Sequence, residues 1–460
     1  MVAGEALAES TLQALRADFR GTLIEPGTAG YDEARSVWNG NIDKRPALIA
    51  RCSGVADVVA AVNFARDNGL VVAVRGGGHN AAGYGTCDDG IVIDLSPMKG
   101  VRVDPAARTA FVQGGATWAD FDRETQVFGL ATTGGTVSNT GVGGLTLGGG
   151  IGWLQGEHGL SCDNLLSADV VTADGRCLRA SATENPDLFW GLRGGGGNFG
   201  AVTAFEFKLH PVGPLVLGGM VVHPQSEAKA VLRFYREFAQ RLPDAGGISG
   251  AALLTLPDGT PAVAMLLVYN GPLDEGERVL APARQFGSPI ADLIQPMPYC
   301  VRQTLLDEAF AAHGIQRYWK SGDAAELSDA IIDLLVEGAA GCPSPLSSIA
   351  LFRLQGAFAR VAPDATAFAL REPLWDLNVV SQWIDPGDSE QNIGWARGLW
   401  AQVEPLTGGG RVYVNHFAAD DKPERNRASY GPNYERLAAL KRRYDPENLF
   451  RLNPNIRPAG

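Results

Sequence analysis

Hydrophobic positions in the first two hundred residues come in short runs. Residues 55–68 carry valine, alanine and phenylalanine at helical spacing and stop at Gly69, a residue suited to the position just past a helix end. A β-forming run at 70–74 follows, and residues 45–50 form a short strand before it, so the chain opens on a small β–α–β unit. Residues 91–95, 101–104 and 110–113 read as strands and 117–128 as a helix. Residues 165–172 and 176–179 form a hairpin around Ala173, Asp174 and Gly175, where Asp-Gly suits a primed turn. Residues 1–40 read as a helical arm followed by a loop.

Pro211 and Pro214 mark a boundary. Beyond it, strands at 215–223, 248–255, 261–269 and 347–355 alternate with helices near 226–240, 273–284 and 324–336. The expectation is an α+β chain with an arm (1–40), a two-subdomain domain (41–212), a domain with an antiparallel sheet covered by helices (213–410), and a terminal segment (411–460).

Glycine interrupts this pattern in three places. The first is Arg75, Gly76, Gly77, Gly78, His79, Asn80, Ala81, Ala82, Gly83 and Tyr84, directly after a strand. Such a loop lets a large ligand approach the main chain, and bare N–H groups in it can cradle phosphate. His79 adds a ring nitrogen able to serve as ligand, base or attachment point; taken alone, the stretch also fits a tight turn with a solvated histidine. The second cluster runs from Gly134 to Trp153 with hydrophobic residues interleaved, and the third is Arg193 to Gly200. Three such loops imply an extended phosphate-bearing cofactor lying along backbone.

A nicotinamide-type Rossmann site is excluded. Gly195-x-Gly197-x-x-Gly200 has the right spacing, but the helix start at Asn185 and Pro186 precedes it and the alternating residues 202–209 follow, the reverse of strand, glycines, helix. After Gly76-x-Gly78-x-x-Ala81 come Gly83, Gly85 and Asp88-Asp89-Gly90, not a helix, and no Gly-Lys-Ser/Thr P-loop exists.

The 460 residues are enough for two domains with substantial cores. A formal charge of −12 argues against general affinity for nucleic acid or anionic membranes. Six dispersed cysteines without a C-x-x-C pair, and six dispersed histidines, give neither a zinc site nor a disulfide framework, so no metal is expected. No signal-peptide core or membrane-length apolar run is present, and the cytoplasm is the expected compartment.

The run from Arg75 to Asp94, the Gly141–Trp153 block, the residues Gly159, Leu160, Ser161, Cys162, Asp163 and Asn164, and the stretch from Phe189 to Gly200 resemble FAD-linked oxidases. The chain is similar to the vanillyl-alcohol-oxidase/PCMH superfamily, berberine-bridge-enzyme-like branch, and Tyr413 to Asn415 and Tyr444 to Ile456 match its C-terminal end. The resemblance implies a two-subdomain PCMH-type FAD-binding domain, a substrate domain on the later sheet, and a return of 411–460 to the FAD domain. It places FAD against Arg75, Gly76, Gly77, Gly78, Asn80, Gly83, Tyr84, Gly135, Thr136, Val137, Thr140, Gly141, Gly143, Gly144, Gly150, Trp153, Gly200, Val202, Asn415 and Asn453, with one covalent link through His79. Many relatives carry a second tether on a cysteine where this chain has Val137, so a single link is expected. Thr140 occupies the place that gates oxygen in relatives and leaves the oxidant open.

The family's chemistry is hydride transfer from a substrate carbon to flavin N5, with a protein base taking a proton. Relatives place Tyr-x-Asn-Tyr on a C-terminal strand; here the segment is Tyr413, Val414, Asn415 and His416. Histidine is apt as a base near neutral pH, and the alternative is that His416 faces solvent beside Asp420 and Asp421. A regular strand would send Asn415 and His416 to opposite faces, so a kink is expected. Tyr413 is the second candidate. Alternation puts Leu351, Arg353 and Gln355 on one strand face, making Arg353 and Gln355 candidates for polar substrate recognition, with no carboxylate beside them. Tyr318, Trp319 and Lys320 are further lining candidates. The leading expectation is oxidation of a small alcohol or hemiacetal with oxygen reduced to peroxide. Oxidation of an amine or alkaloid C–N bond, a dehydrogenase with another acceptor, and a flavin protein without turnover stay open, as does the oligomeric state.

Overall fold

The computed structural model describes residues 9–408 and 410–460. Two sheets occupy the first half. Thr22–Ile24, Leu48–Arg51, Ile91–Asp94 and Val72–Arg75 lie side by side in that order, the first pairing antiparallel and the rest parallel. The strand Thr22–Ile24 thus builds part of the expected arm into the sheet. Val55–Asp67 forms the crossover helix, and Gly69 supplies the positive φ that turns the chain out of it. Leu12 and Leu15 of the Glu9–Asp18 helix are buried with Val58, Val62 and Ile93 in one core.

The second sheet is antiparallel, ordered Val101–Asp104, Thr109–Gln113, Ala201–Lys208, Leu165–Val171 and Cys177–Ser181. A third antiparallel sheet centres on Leu215–Pro224, Pro261–Tyr269, Ser249–Thr255, Ser348–Leu354, Leu374–Trp383 and Gln316–Ala324. Its alternation separates two faces. Val263, Met265, Leu351, Leu377 and Val379 are buried with Val231, Leu335 and Leu399 of the covering helices. Leu266, Leu354 and Leu374 join the opposite core, which contains Trp118, Tyr413 and Phe199.

Two strands of this sheet escape the sequence pattern. Gln316–Ala324 alternates polar residues toward one face, and Leu374–Trp383, buried along its whole length, carries Asp376, Asn378 and Ser381 among its apolar residues. The helix expected at 324–336 begins at Asp329 and runs to Ala340, because Ala324 ends a strand and Ser328 caps the helix through the Ile331 N–H.

The C-terminal segment is stitched to the third glycine cluster. Lys441 Nζ pairs with Asp445 Oδ2 at 2.6 Å and donates to the carbonyls of Asn198 and Phe450. Asn198 donates to the carbonyls of Gly195 and Pro454, and its Oδ1 accepts from the Ile456 N–H. No described helix is long and apolar enough to cross a membrane.

Candidate active site

The first two glycine clusters meet backbone to backbone. A Cβ on Gly77 would stand 2.5 Å from the Gly141 nitrogen, and one on Gly141 would run into the Gly77 nitrogen. Only glycine permits that approach. Gly78 and Gly83 adopt φ of 65° and 72°, which turns the loop back on itself; Asn80 closes the turn through its carbonyl to the Gly83 N–H and through Oδ1 to the Tyr84 N–H. The N–H groups of Gly77, Gly78, His79 and Asn80 find no acceptor among the described residues, which leaves a row of donors suited to phosphate oxygens. Arg75 is committed elsewhere. It pairs with the fully buried Asp94 at 2.7 Å and braces the loop at the end of its strand.

The second cluster forms a tight turn, in which Thr140 N–H donates to the Val137 carbonyl and Thr140 accepts from the Trp118 N–H. Gly141 then opens the short helix Val142–Leu147, in which Gly143 packs against Phe205 and Gly144 faces open space. Gly135 abuts Leu145, with Thr136 half-buried and Val137 buried beside it. The helix ends on the third cluster, since the N–H groups of Gly194 and Gly196 both donate to the Leu147 carbonyl. Gly150 and Gly200 take φ of 92° and 152°; Trp153 and Val202 are buried core residues. Asn453 donates to the Gly197 and Phe450 carbonyls, and its Oδ1 is buried without a partner. Interlocked glycines, unpaired donors and an orphaned amide oxygen fit an elongated phosphate-bearing cofactor.

His79 sits in a cage the sequence did not announce. Its ring stacks on Trp38 at 4.2 Å, and the Arg317 guanidinium lies over the Trp38 ring at 3.9 Å. Burial first, then the charges of Arg317 and His313, push the His79 imidazole down to about 3, so it is neutral near pH 7. The nucleophilic form of the ring is therefore the resting form.

A largely buried polar cluster lies on the face of the third sheet turned away from its covering helices, beside Tyr413, whose hydroxyl accepts from the Gly150 N–H. The His416 ring stacks on Trp319 at 5.0 Å, and its Nδ1 lies 3.6 Å from Asp376 Oδ1. Asp376 is 1% exposed, and its Oδ2 accepts from Asn378 Nδ2, while Asn378 Oδ1 accepts from Trp319 Nε1. These contacts close a ring of four side chains. Asp323 stands directly opposite Asp376 in the strand register; burial, then the Asp376 charge, raise its carboxyl well above the usual range. His416 thus has a buried carboxylate behind Nδ1, while Nε2 carries no such commitment.

Several expectations change here. Val414–His416 is a 3₁₀ turn rather than a strand, so strand alternation does not decide where Asn415 and His416 point. Asn415 donates to the Leu145 carbonyl and to the Tyr413 hydroxyl. The Tyr413 hydroxyl accepts from the Gly150 and Ile151 N–H groups as well, and burial raises its pKa, so it clamps the glycine loop instead of serving as a base. Arg353 and Gln355 do share a face, but it is the helix-covered one. Arg353 lies over Trp375 and donates to Gln355, which donates to the Ala239 and Leu242 carbonyls. Tyr318 and Lys320 are likewise tied to Asp420 on the other side, and only Trp319 of that trio reaches the cluster. No carboxylate stands beside Arg353 and Gln355; the buried carboxyls Asp323 and Asp376 lie on the opposite face of the sheet, on two strands hidden by their own polar residues.

Residues 46–181 match the FAD binding domain family and residues 412–457 the berberine and berberine-like family. An FAD-linked oxidoreductase of Dictyostelium discoideum is 33% identical over 95% of each chain, and the (R)-6-hydroxynicotine oxidase of Paenarthrobacter nicotinovorans 34% identical over 96% of this chain and 97% of its own. Among solved structures, 6-hydroxy-D-nicotine oxidase from Arthrobacter nicotinovorans superposes with a TM-score of 0.89 at 32% identity, covering 96% of this chain and 98% of its own. Glucooligosaccharide oxidase from Acremonium strictum, whose FAD is 6-S-cysteinyl and 8α-N1-histidyl, superposes at 0.88 with 26% identity, covering 98% and 100%.

Proposed function

The chain belongs to the FAD-linked oxidoreductases of the berberine-like family, and on that premise we propose that it is an oxidase carrying FAD on His79 and dehydrogenating a carbon that bears a hydroxyl. The observation that carries this reading is the His416–Asp376–Asn378–Trp319 ring, joined to the glycine-rich segment through Tyr413, which packs on His416 and accepts from the Gly150 N–H. The loops of Gly76–Tyr84 and Gly135–Gly144, with Asn453, would hold the cofactor, which when bound supplies the acceptor for the substrate hydride. His416 takes the hydroxyl proton. Asp376 orients the imidazole and compensates the charge that it gains, the role a buried carboxylate plays behind a histidine base. Trp319 fixes the ring plane and supplies an apolar wall. Oxygen is the proposed acceptor and peroxide the product. An anaerobic screen of sugars, alcohols and amines, read as loss of flavin absorbance, tests the reading; full bleaching by amines alone would move it to C–N oxidation. That second reading has its own support, since Asp376 places a buried carboxyl beside His416 that suits a cationic amine.

Covalent attachment is checked separately. Acid-denatured protein should retain its flavin, and a digest should place the flavin mass on the His79 peptide alone, because Val137 offers no thiol and Cys162 is fully buried. Release of all flavin by acid would end the covalent assignment, and a cysteinyl flavin peptide would end the single link.

A further inference from the structure

The register of the third sheet carries the polar cluster into a strip of a different chemistry. On the face turned away from the helices, Asp323 and Asp376 stand in one cross-strand row with Phe352, Gly250, Leu266 and Met220. Ser321 and Asn378 stand in the next row with Ala350, Ala252, Ala264 and Val222. Both rows are polar on the two strands Gln316–Ala324 and Leu374–Trp383, and apolar on the four strands beyond them. Adjacent members of a row lie about 5 Å apart, so the apolar part spans on the order of 15 Å.

The second row is low. Its three alanines lie between Phe352 and Met220 of the first row and Leu254, which shares the face two residues along from Ala252. Small side chains between larger ones leave a groove, and Ala252, Ala350, Phe352 and Met220 are only partly buried along it. Phe352 leans over the neighbouring strand. A Cβ on Gly250 would stand 2.8 Å from Phe352 Cε1, so the glycine gives the ring room to lie there. The groove begins one strand away from Asp376 and Asn378, the partners of His416 and Trp319. An open apolar strip that ends on a polar cluster has the make-up of a ligand site.

That make-up discriminates among molecules that carry a hydroxyl. A sugar bears hydroxyls along its whole length. Each one laid on this strip would give up water without gaining a partner, because the side chains offer no donor or acceptor and the main-chain groups are paired within the sheet. An apolar body gains by its burial there, and an aromatic one also meets the Phe352 ring.

We propose that this strip is the substrate groove and that Ala252, Ala350 and Phe352 determine specificity, admitting alcohols whose hydroxyl-bearing carbon is attached to an aromatic body and rejecting sugars. The inference rests on the reading of His416 given above, which sets the hydroxyl at the polar end and sends the body along the alanines.

Binding is measured apart from turnover. 2-Naphthol has the aromatic body and a hydroxyl but no hydrogen on the hydroxyl-bearing carbon, so it can fill the groove without giving a hydride. Isothermal titration of the flavin-loaded enzyme should show 2-naphthol bound at least tenfold more tightly than D-glucose. Ala252→Leu fills the groove and should weaken 2-naphthol about tenfold or more. In anaerobic reduction by 2-naphthylmethanol the same variant should raise KM by a similar factor, with a smaller change in kcat. Ala350→Leu fills the groove from the next strand and is judged in the same way if Ala252→Leu does not fold. A folded leucine variant that binds 2-naphthol as well as wild type, or glucose bound as tightly as 2-naphthol, would overturn the inference. Groove-dependent binding of 2-naphthol in an enzyme that amines bleach and 2-naphthylmethanol does not would instead overturn the hydroxyl reading and leave the groove standing.

Discussion

Replacing His416 by alanine is expected to slow anaerobic flavin reduction by about a hundred- to ten-thousandfold, the range that a positioned general base contributes. The effect should fall on the reduction step and leave bound FAD in place, because His416 supports the glycine loops through none of the described hydrogen bonds of its ring. Among the described residues the charged group beside its ring is Asp376, and its packing is against Trp319 and Tyr413. Asp376→Asn keeps the shape and the contact with Asn378 while removing the charge behind the ring. It should therefore also slow reduction, by less than the loss of the imidazole itself. Stopped-flow absorbance with a saturating donor measures both, and the limb that an ionising base imposes on the pH–rate profile should flatten in His416→Ala. A His416→Ala enzyme reduced within a few-fold of wild type would remove the histidine from the proton transfer.

Lys441→Met is expected to cost about 3–5 kcal/mol, the penalty for removing one member of a buried ion pair. Both Lys441 and Asp445 are 0% exposed. The ammonium also satisfies two carbonyls, one on Asn198 and one on Phe450, so its loss strands a carboxylate and two acceptors. Asp445 would still hold the Leu449 and Phe450 N–H groups, which is why replacing both partners should not restore stability. A urea titration followed by tryptophan fluorescence reads the change. Lys229→Met, at a half-exposed pair with Asp333, is the control expected to shift little. Equal midpoints for the two variants would show that the buried pair adds nothing.

The sequence made the glycine loops and the strongly periodic elements legible, because both are local. The Val55–Asp67 helix and the Pro261–Tyr269 strand stand where spacing put them. The candidate catalytic face was hidden for a physical reason. A strand that lines a polar site must carry polar residues where a hydrophobic pattern would otherwise reveal it, and Asp376, Asn378, Ser321 and Asp323 do that to two neighbouring strands. Arg353 and Gln355 show a second limit. Period-two alternation correctly grouped them but carries no information on which of two faces meets the cofactor, and the helix-packed side claimed them. Trp38 and Arg317 had no local signal at all, since their relation exists only through contacts between distant segments.

That distance sets a clock on biosynthesis. The bonds Ser138–Asp307, Asn139–Ala311 and Trp38–Phe310 join residues 169, 172 and 272 positions apart. A ribosome adding about 5–20 residues per second emits His79 on the order of ten to fifty seconds before Arg317, and the polar face carrying Asp376 and His416 comes later still. During that interval the nascent chain holds the histidine proposed for attachment without the guanidinium that lies over its stacking partner Trp38. If His79 carries the flavin as proposed, its capture is expected late in the life of the polypeptide, on a chain whose distant halves have already found each other.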